Sequence, residues 1–105
     1  MPHNTLTDAE VLEQVRRLVG QGRIKWTPHI EEKLKERGLA KDQAKECLRI
    51  GYFEETPFIP NRPGDIEYKF QVRARVDGEE IRVVASLIPE SHVVAITVFD
   101  PEAQR

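Results

Sequence analysis

The sequence predicts an α+β domain in which N-terminal helices pack on one face of an antiparallel sheet of three to four strands. Three observations predict it. Apolar residues recur at helical spacing through the first 51 residues, and capping and stop signals bracket each run. From Tyr68 the apolar period changes to two, around an Asp77-Gly78 turn.

The first helix starts at Thr7, whose spacing to Glu10 makes a capping box. Val11, Leu12, Val15, Leu18 and Val19 follow at helical spacing, and Gly20 and Gly22 end the run. "RIKWT", residues 23–27, reads as a short extended link. Thr27 is the N-cap of a second helix with Pro28 at N1, a favoured place for a residue that lacks an N–H. That helix carries Ile30 and Leu34 on one side and closes at Gly38. "AKDQAKECLRI" forms the third, with Ala44, Cys47 and Leu48 on its stripe and Gly51 past its end. Cys47 on an apolar stripe is expected to pack rather than react.

Strand character begins at Tyr52. Prolines at 57, 60 and 63 restrict "YFEET" to an edge strand or an extended loop. Asp77-Gly78 suits a two-residue type I′ turn, because both central residues need positive φ. That turn pairs Val76 with Glu79 and stacks Ala74 with Ile81, Val72 with Val83, Phe70 with Ala85 and Tyr68 with Leu87 on one apolar face. A slip of one residue would expose the whole set. With Glu90-Ser91 central to a second turn, Leu87 faces Val94, Ala85 faces Ile96 and Val83 faces Val98. The strands are expected at 66–76, 80–88 and 92–99, adjacent in that order. Residues 1–99 make a single domain and 100–105 a flexible tail.

Length and charge narrow the function. A chain of 105 residues supports one core. Charged residues make up 32% and balance to a net −2, which argues against a generic nucleic-acid coat. A local basic face is still compatible with that sum. One cysteine excludes a disulfide framework and a thiolate metal cluster, and no His-x-x-x-His or carboxylate cluster suggests a metal site. No phosphate-cradling glycine loop, serine elbow or dinucleotide fingerprint appears, so no cofactor is expected. The N-terminus lacks a signal-peptide core and no apolar run approaches a membrane span, so a cytoplasmic protein is expected.

The second face of the first hairpin carries the chemistry. Arg75 meets Glu80 there as an ordinary ion pair, Arg73 meets Arg82, Gln71 meets Val84 and Lys69 meets Ser86. Like charges directly opposite destabilise a strand pair by an amount comparable to the roughly 0.2–1 kcal/mol a good pair contributes. Either both guanidiniums splay into water and are screened, or they and Lys69 bind an anion. Gln71 and Ser86 would then add neutral hydrogen bonds. Ala95, Thr97 and Phe99 join this face from the last strand, with Phe99 beside Arg82.

"TPHIEEKLKERGL", "CLRIGYFEE", "YKF", "IRVVASL" and "VVAITVF" resemble a family of small bacterial domains of unknown function. That family has Ser/Thr-x-His at a helix start, Arg-Gly-Ile/Leu at its end, Gly before an edge strand and a closing Val-x-x-Ile-Thr-Val strand. The resemblance covers about residues 25–99. More remotely, helices followed by a curved sheet resemble the RelE, ParE and MqsR-type toxins. "EVLEQVRRLVGQGRI" is similar to the opening helix of the MqsR group. This resemblance implies a RelE-like architecture and a metal-free endoribonuclease toxin with a cognate antitoxin, or a relative that has lost catalysis.

Cleavage of that kind needs a base for the ribose hydroxyl, charge stabilisation at phosphorus and an acid for the leaving oxygen. By that resemblance His29, Lys69, Arg73 and Arg82 are the catalytic candidates and Arg37 a substrate-binding one; Gln71, Ser86 and Thr97, on the same sheet face as the arginines, are the other substrate-binding candidates. Histidine is the commonest general acid–base side chain, and the bland alternative for His29 is a surface residue in a first helical turn. Arg37, about two turns on, shares its face, and would alternatively compensate the helix dipole. Phe99 and Trp26 are candidates for stacking on a base or for core packing. A non-catalytic module that holds a protein or small anion on the sheet face or edge is the competing reading. The near-neutral charge and the lack of a compelling acid/base pair favour it.

Overall fold

The computed structural model describes residues 6–53, 57 and 67–99. The order is α1 (Asp8–Gly20), β1 (Ile24–Trp26), α2 (Pro28–Glu36), α3 (Lys41–Ile50), β2 (Tyr52–Phe53), β3 (Tyr68–Val76), β4 (Glu79–Ile88) and β5 (His92–Phe99). Pro60, Pro63, His3 and the 100–105 segment lie outside the described residues.

Local chemistry sets the helix ends. The Thr7 hydroxyl accepts from Glu10 N–H at 3.1 Å and the Glu10 carboxylate accepts from Thr7 N–H at 2.8 Å, which completes the capping box. Helix α2 ends in a Schellman arrangement: Leu39 N–H donates to Leu34 O at 2.8 Å and Gly38 N–H to Lys35 O at 3.2 Å. Ala40 cannot cap α3 with its side chain, but Gln43 Oε1 accepts its N–H at 2.8 Å.

The sheet differs from the expected one. Among the described residues it has five strands in the order β1-β5-β4-β3-β2, and β1 runs parallel to β5, so the sheet is mixed. The "RIKWT" link contains this extra strand. Val93 N–H donates to Arg23 O at 3.0 Å and Thr27 N–H to Ala95 O at 3.3 Å, so both ends of β1 are held by β5. Three residues are too few for period-two alternation to announce a strand. At the other edge, β2 pairs Tyr52 with Arg73 and Phe53 with Val72.

The β3–β4 register is the expected one throughout, from Val76–Glu79 to Tyr68–Leu87. Asp77 and Gly78 have φ of 52° and 82°, the signature of the type I′ turn. The second hairpin departs from expectation. Ile88 pairs with His92, Leu87 with Val93 and Ala85 with Ala95, one residue off the expected pairing. Pro89 and Glu90 form the turn, closed by Ser91 N–H donating to Ile88 O at 2.9 Å, with Glu90 at φ 60°. Proline first and positive φ second define a type II turn, and the strain of a non-glycine residue there needs support. Gln14 Oε1 accepts Glu90 N–H at 2.9 Å, and Arg17 pairs with its carboxylate at 3.2 Å.

A bulge then restores the expected outer pairs. Between Ala85–Ala95 and Val84–Thr97 the chain of β5 carries an extra residue, Ile96, after which Val83–Val98 and Arg82–Phe99 pair as expected. The extra residue shifts the alternation, so Val93, Ala95 and Val98 all face the core. Ala95 therefore belongs to the buried face and not to the polar one. The Thr27 hydroxyl contacts Ala95 O at 3.1 Å and Ile96 O at 3.2 Å while accepting Ile30 N–H at 3.2 Å. One side chain thus caps α2 and holds the bulge.

All three helices bury their stripes in one cluster with the apolar sheet face, including Val15, Leu18, Ile30, Cys47, Leu48, Val72, Val83 and Val98. Gly51 lets α3 approach β3. A Cβ there would lie 2.5 Å from Cys47 O and 3.1 Å from both Arg73 O and Val72 Cβ. Gly51→Ala is expected to cost about 1–3 kcal/mol by overpacking, read as a lowered denaturation midpoint with an unchanged far-UV spectrum.

Candidate functional site

The face away from the helices is built by alternation. Lys69, Gln71, Arg73 and Arg75 stand in a row on β3, and Glu80, Arg82, Val84, Ser86 and Ile88 on β4. Thr97 and Phe99 continue the rows on β5, opposite Val84 and Arg82. Neighbours within a row are about 7 Å apart, since each strand residue advances about 3.4 Å. The cations Arg73, Arg75 and Arg82 therefore gather at the Asp77-Gly78 end, with Lys69 further along.

Arg73 and Arg82 are direct cross-strand partners, as expected. Their environment is the new finding. Glu80 pairs with Arg73 through the guanidinium Nε, diagonally across the strands, and not with the Arg75 directly opposite it. Arg75 Nη1 instead donates to Gly78 O at 2.9 Å. The Arg82 guanidinium lies over the Phe99 ring at 5.3 Å from its centroid. A carboxylate on one side and an aromatic face on the other thus offset the repulsion of the arginine pair.

The other predicted residues divide. Lys69 is exposed and Gln71 half-buried on the same row. Ser86 is fully buried, and its Oγ has no hydrogen-bond partner among the described residues. This corrects the expectation that it offers a hydrogen bond to a surface ligand. Thr97 is half-buried beside Val84.

His29 and Arg37 sit in the helical layer. Helix α2 turns Ile30 and Leu34 into the core and leaves His29 exposed. Arg37 is the half-buried C-cap residue, its N–H donating to Lys33 O at 3.0 Å. No described hydrogen bond or ion pair joins either to the sheet cations. Trp26 packs against the core, with Lys41 5.5 Å from its ring centroid, so it is separate from Phe99. His92 opens β5, and its Nδ1 lies 2.7 Å from Ser91 Oγ.

Sequence reasoning missed Glu80 as a member of the group, and Arg75 as tethered to the turn. Both follow from the reach of long side chains to diagonal neighbours, which direct-opposite pairing leaves out. Among the described residues, no group of three or more His, Cys, Asp or Glu side chains converges as metal ligands. No helix there is long and apolar enough to cross a membrane. Comparison with models of known families, with curated proteins and with solved structures finds no match.

Cys47 stands apart from this face. It is fully buried, with Sγ 3.4 Å from Ile81 O, and burial pushes its thiol up to about 12. Unfolding returns the thiol to its ordinary value near 9, so the unfolded chain gains by ionising first. The stability this represents is complete below pH 9 and falls as pH rises toward 12. Thiol alkylation at pH 8 is expected to proceed only through unfolding, and native-state reaction at the rate of a free thiol would contradict the burial.

Proposed function

We propose that this protein is a cytoplasmic, non-catalytic binding module that holds a phosphate-bearing anion on the β3–β4–β5 face. The observation that carries the reading is the in-register Arg73–Arg82 pair. On the described rows of that face, Lys69, Arg73, Arg75 and Arg82 stand with one carboxylate, Glu80. Guanidinium forks match phosphate oxygens in geometry and charge, and clustering them locally suits a chain whose overall charge is −2.

Catalysis has less support, because His29 lies on α2 and not with the arginines. The second reading, a metal-free endoribonuclease toxin with an antitoxin partner, draws on the resemblance to the small bacterial domains and, more remotely, to the RelE, ParE and MqsR-type toxins. One contact favours it specifically. Phe99 beside Arg82 sets an aromatic ring next to a phosphate-binding group, as stacking on an RNA base requires.

One variant tests both readings. Arg82→Thr removes a like-charge neighbour, worth about 0.2–1 kcal/mol, and also a cation–π contact worth about 0.5–1 kcal/mol. Its affinity for inorganic phosphate and a short single-stranded RNA is expected to fall about tenfold, the loss of one charge-assisted hydrogen-bonding group. Equal affinities would contradict the anion site. RNA recovered intact after incubation with wild type supports the binding module, and RNA cut by wild type but not by the variant supports the toxin.

A further inference from the structure

We infer that Glu80 is a positioning residue for the anion site: it holds Arg73 from behind, so that the Arg73–Arg82 pair is ordered before a tetrahedral oxyanion arrives. The inference rests on the anion-binding reading above and assigns a role within it.

Geometry carries the argument. The Glu80 carboxylate engages Arg73 at Nε, the edge of the guanidinium nearest its own stem. The Glu80 side chain is 20% exposed and that of Arg73 45%, so the acid is the inner member of the pair and the cation the outer. An arginine side chain carries a large rotamer entropy, and a ligand that has to order it binds more weakly. A carboxylate bonded at Nε leaves the planar head in one orientation. Arg82 is held in the same manner by the Phe99 ring, 5.3 Å from its guanidinium carbon, and Arg75 by Gly78 O at 2.9 Å. Each of the three guanidiniums at this end of the face is thus fixed by a neighbour supplied by β4, β5 or the turn. Phosphate, with oxygens enough to span two forks, is the ligand chemistry that uses such an arrangement.

The alternative role for a carboxylate beside an arginine is that of a resident competitor, which ligand has to displace. The two roles have opposite signs. If Glu80 competes, removing its charge by any substitution strengthens binding. If it positions, Glu80→Gln keeps an acceptor for Arg73 Nε while removing a negative charge, whereas Glu80→Ala removes both.

The test is titration of wild type, Glu80→Gln and Glu80→Ala with inorganic phosphate, followed by NMR of the arginine Nε–Hε resonances. The expected order is Glu80→Gln equal to or tighter than wild type, and Glu80→Ala about tenfold weaker, as for one lost hydrogen bond to a charged group. The Arg73 Nε–Hε signal is expected to be protected in ligand-free wild type and lost from its position in Glu80→Ala. Backbone spectra of the three proteins verify folding, and Arg73→Gln is expected to abolish the difference between alanine and wild type. Tighter binding by both Glu80 variants would make Glu80 a competitor and overturn the inference. Equal affinity in all three would overturn it as well. Absence of phosphate binding by wild type would overturn the anion-binding reading itself.

Discussion

The rest of the molecule depends on the register of the β3–β4 hairpin, and that register depends on the Asp77-Gly78 turn. Positive φ at both positions gives the turn the twist of the strands it joins. Every pair from Val76–Glu79 to Tyr68–Leu87 then follows, with Phe70, Val72, Ile81, Val83, Ala85 and Leu87 on the helical side. The same register forces Arg73 and Arg82 together on the other side. Core and charged face are two consequences of one turn. The turn is also tied to the helices, because Gln43 both receives the Ala40 N–H and donates to Asp77 at 3.3 Å.

At the opposite end of the sheet, polar contacts stabilise backbone that would otherwise be strained or unpaired. Gln14 and Arg17 of α1 hold Glu90 in its left-handed conformation, and Thr27 contacts the two carbonyls at the β5 bulge. Arg16 donates to Gly51 O at 3.0 Å and lies over Tyr52, joining α1 to the end of α3 and the β2 edge. These side chains connect elements distant in sequence, and each one satisfies a specific backbone group while doing so.

This division explains what the sequence revealed. The helices were legible because their caps are local: Thr7 with Glu10, Thr27 with Pro28, Gly38 after Leu34. The first hairpin was legible because turn chemistry and apolar alternation agreed. Strand β1 was not, since Ile24–Trp26 gains its strand character only from pairing with β5. The second hairpin was misread by one residue because Glu90 adopts a conformation that glycine or asparagine would have announced. The bulge at Ile96 then hid the error, since Val83–Val98 and Arg82–Phe99 come out the same in both registers. In the site, the arginine pair was legible from register alone, but the choice of Glu80 between Arg73 and Arg75 was not. Burial of Ser86 was also hidden, since alternation assigns a side chain to a face and not to solvent.

The central claim is that Glu80 is committed to Arg73 and not to the Arg75 it faces. Double-mutant cycles of folding stability test it most directly, with Glu80→Ala combined in turn with Arg73→Ala and Arg75→Ala. The account predicts a favourable coupling of several tenths of a kcal/mol or more for Arg73–Glu80, in the range of partly exposed ion pairs, and none resolvable for Arg75–Glu80. A dominant coupling between Arg75 and Glu80 would contradict it.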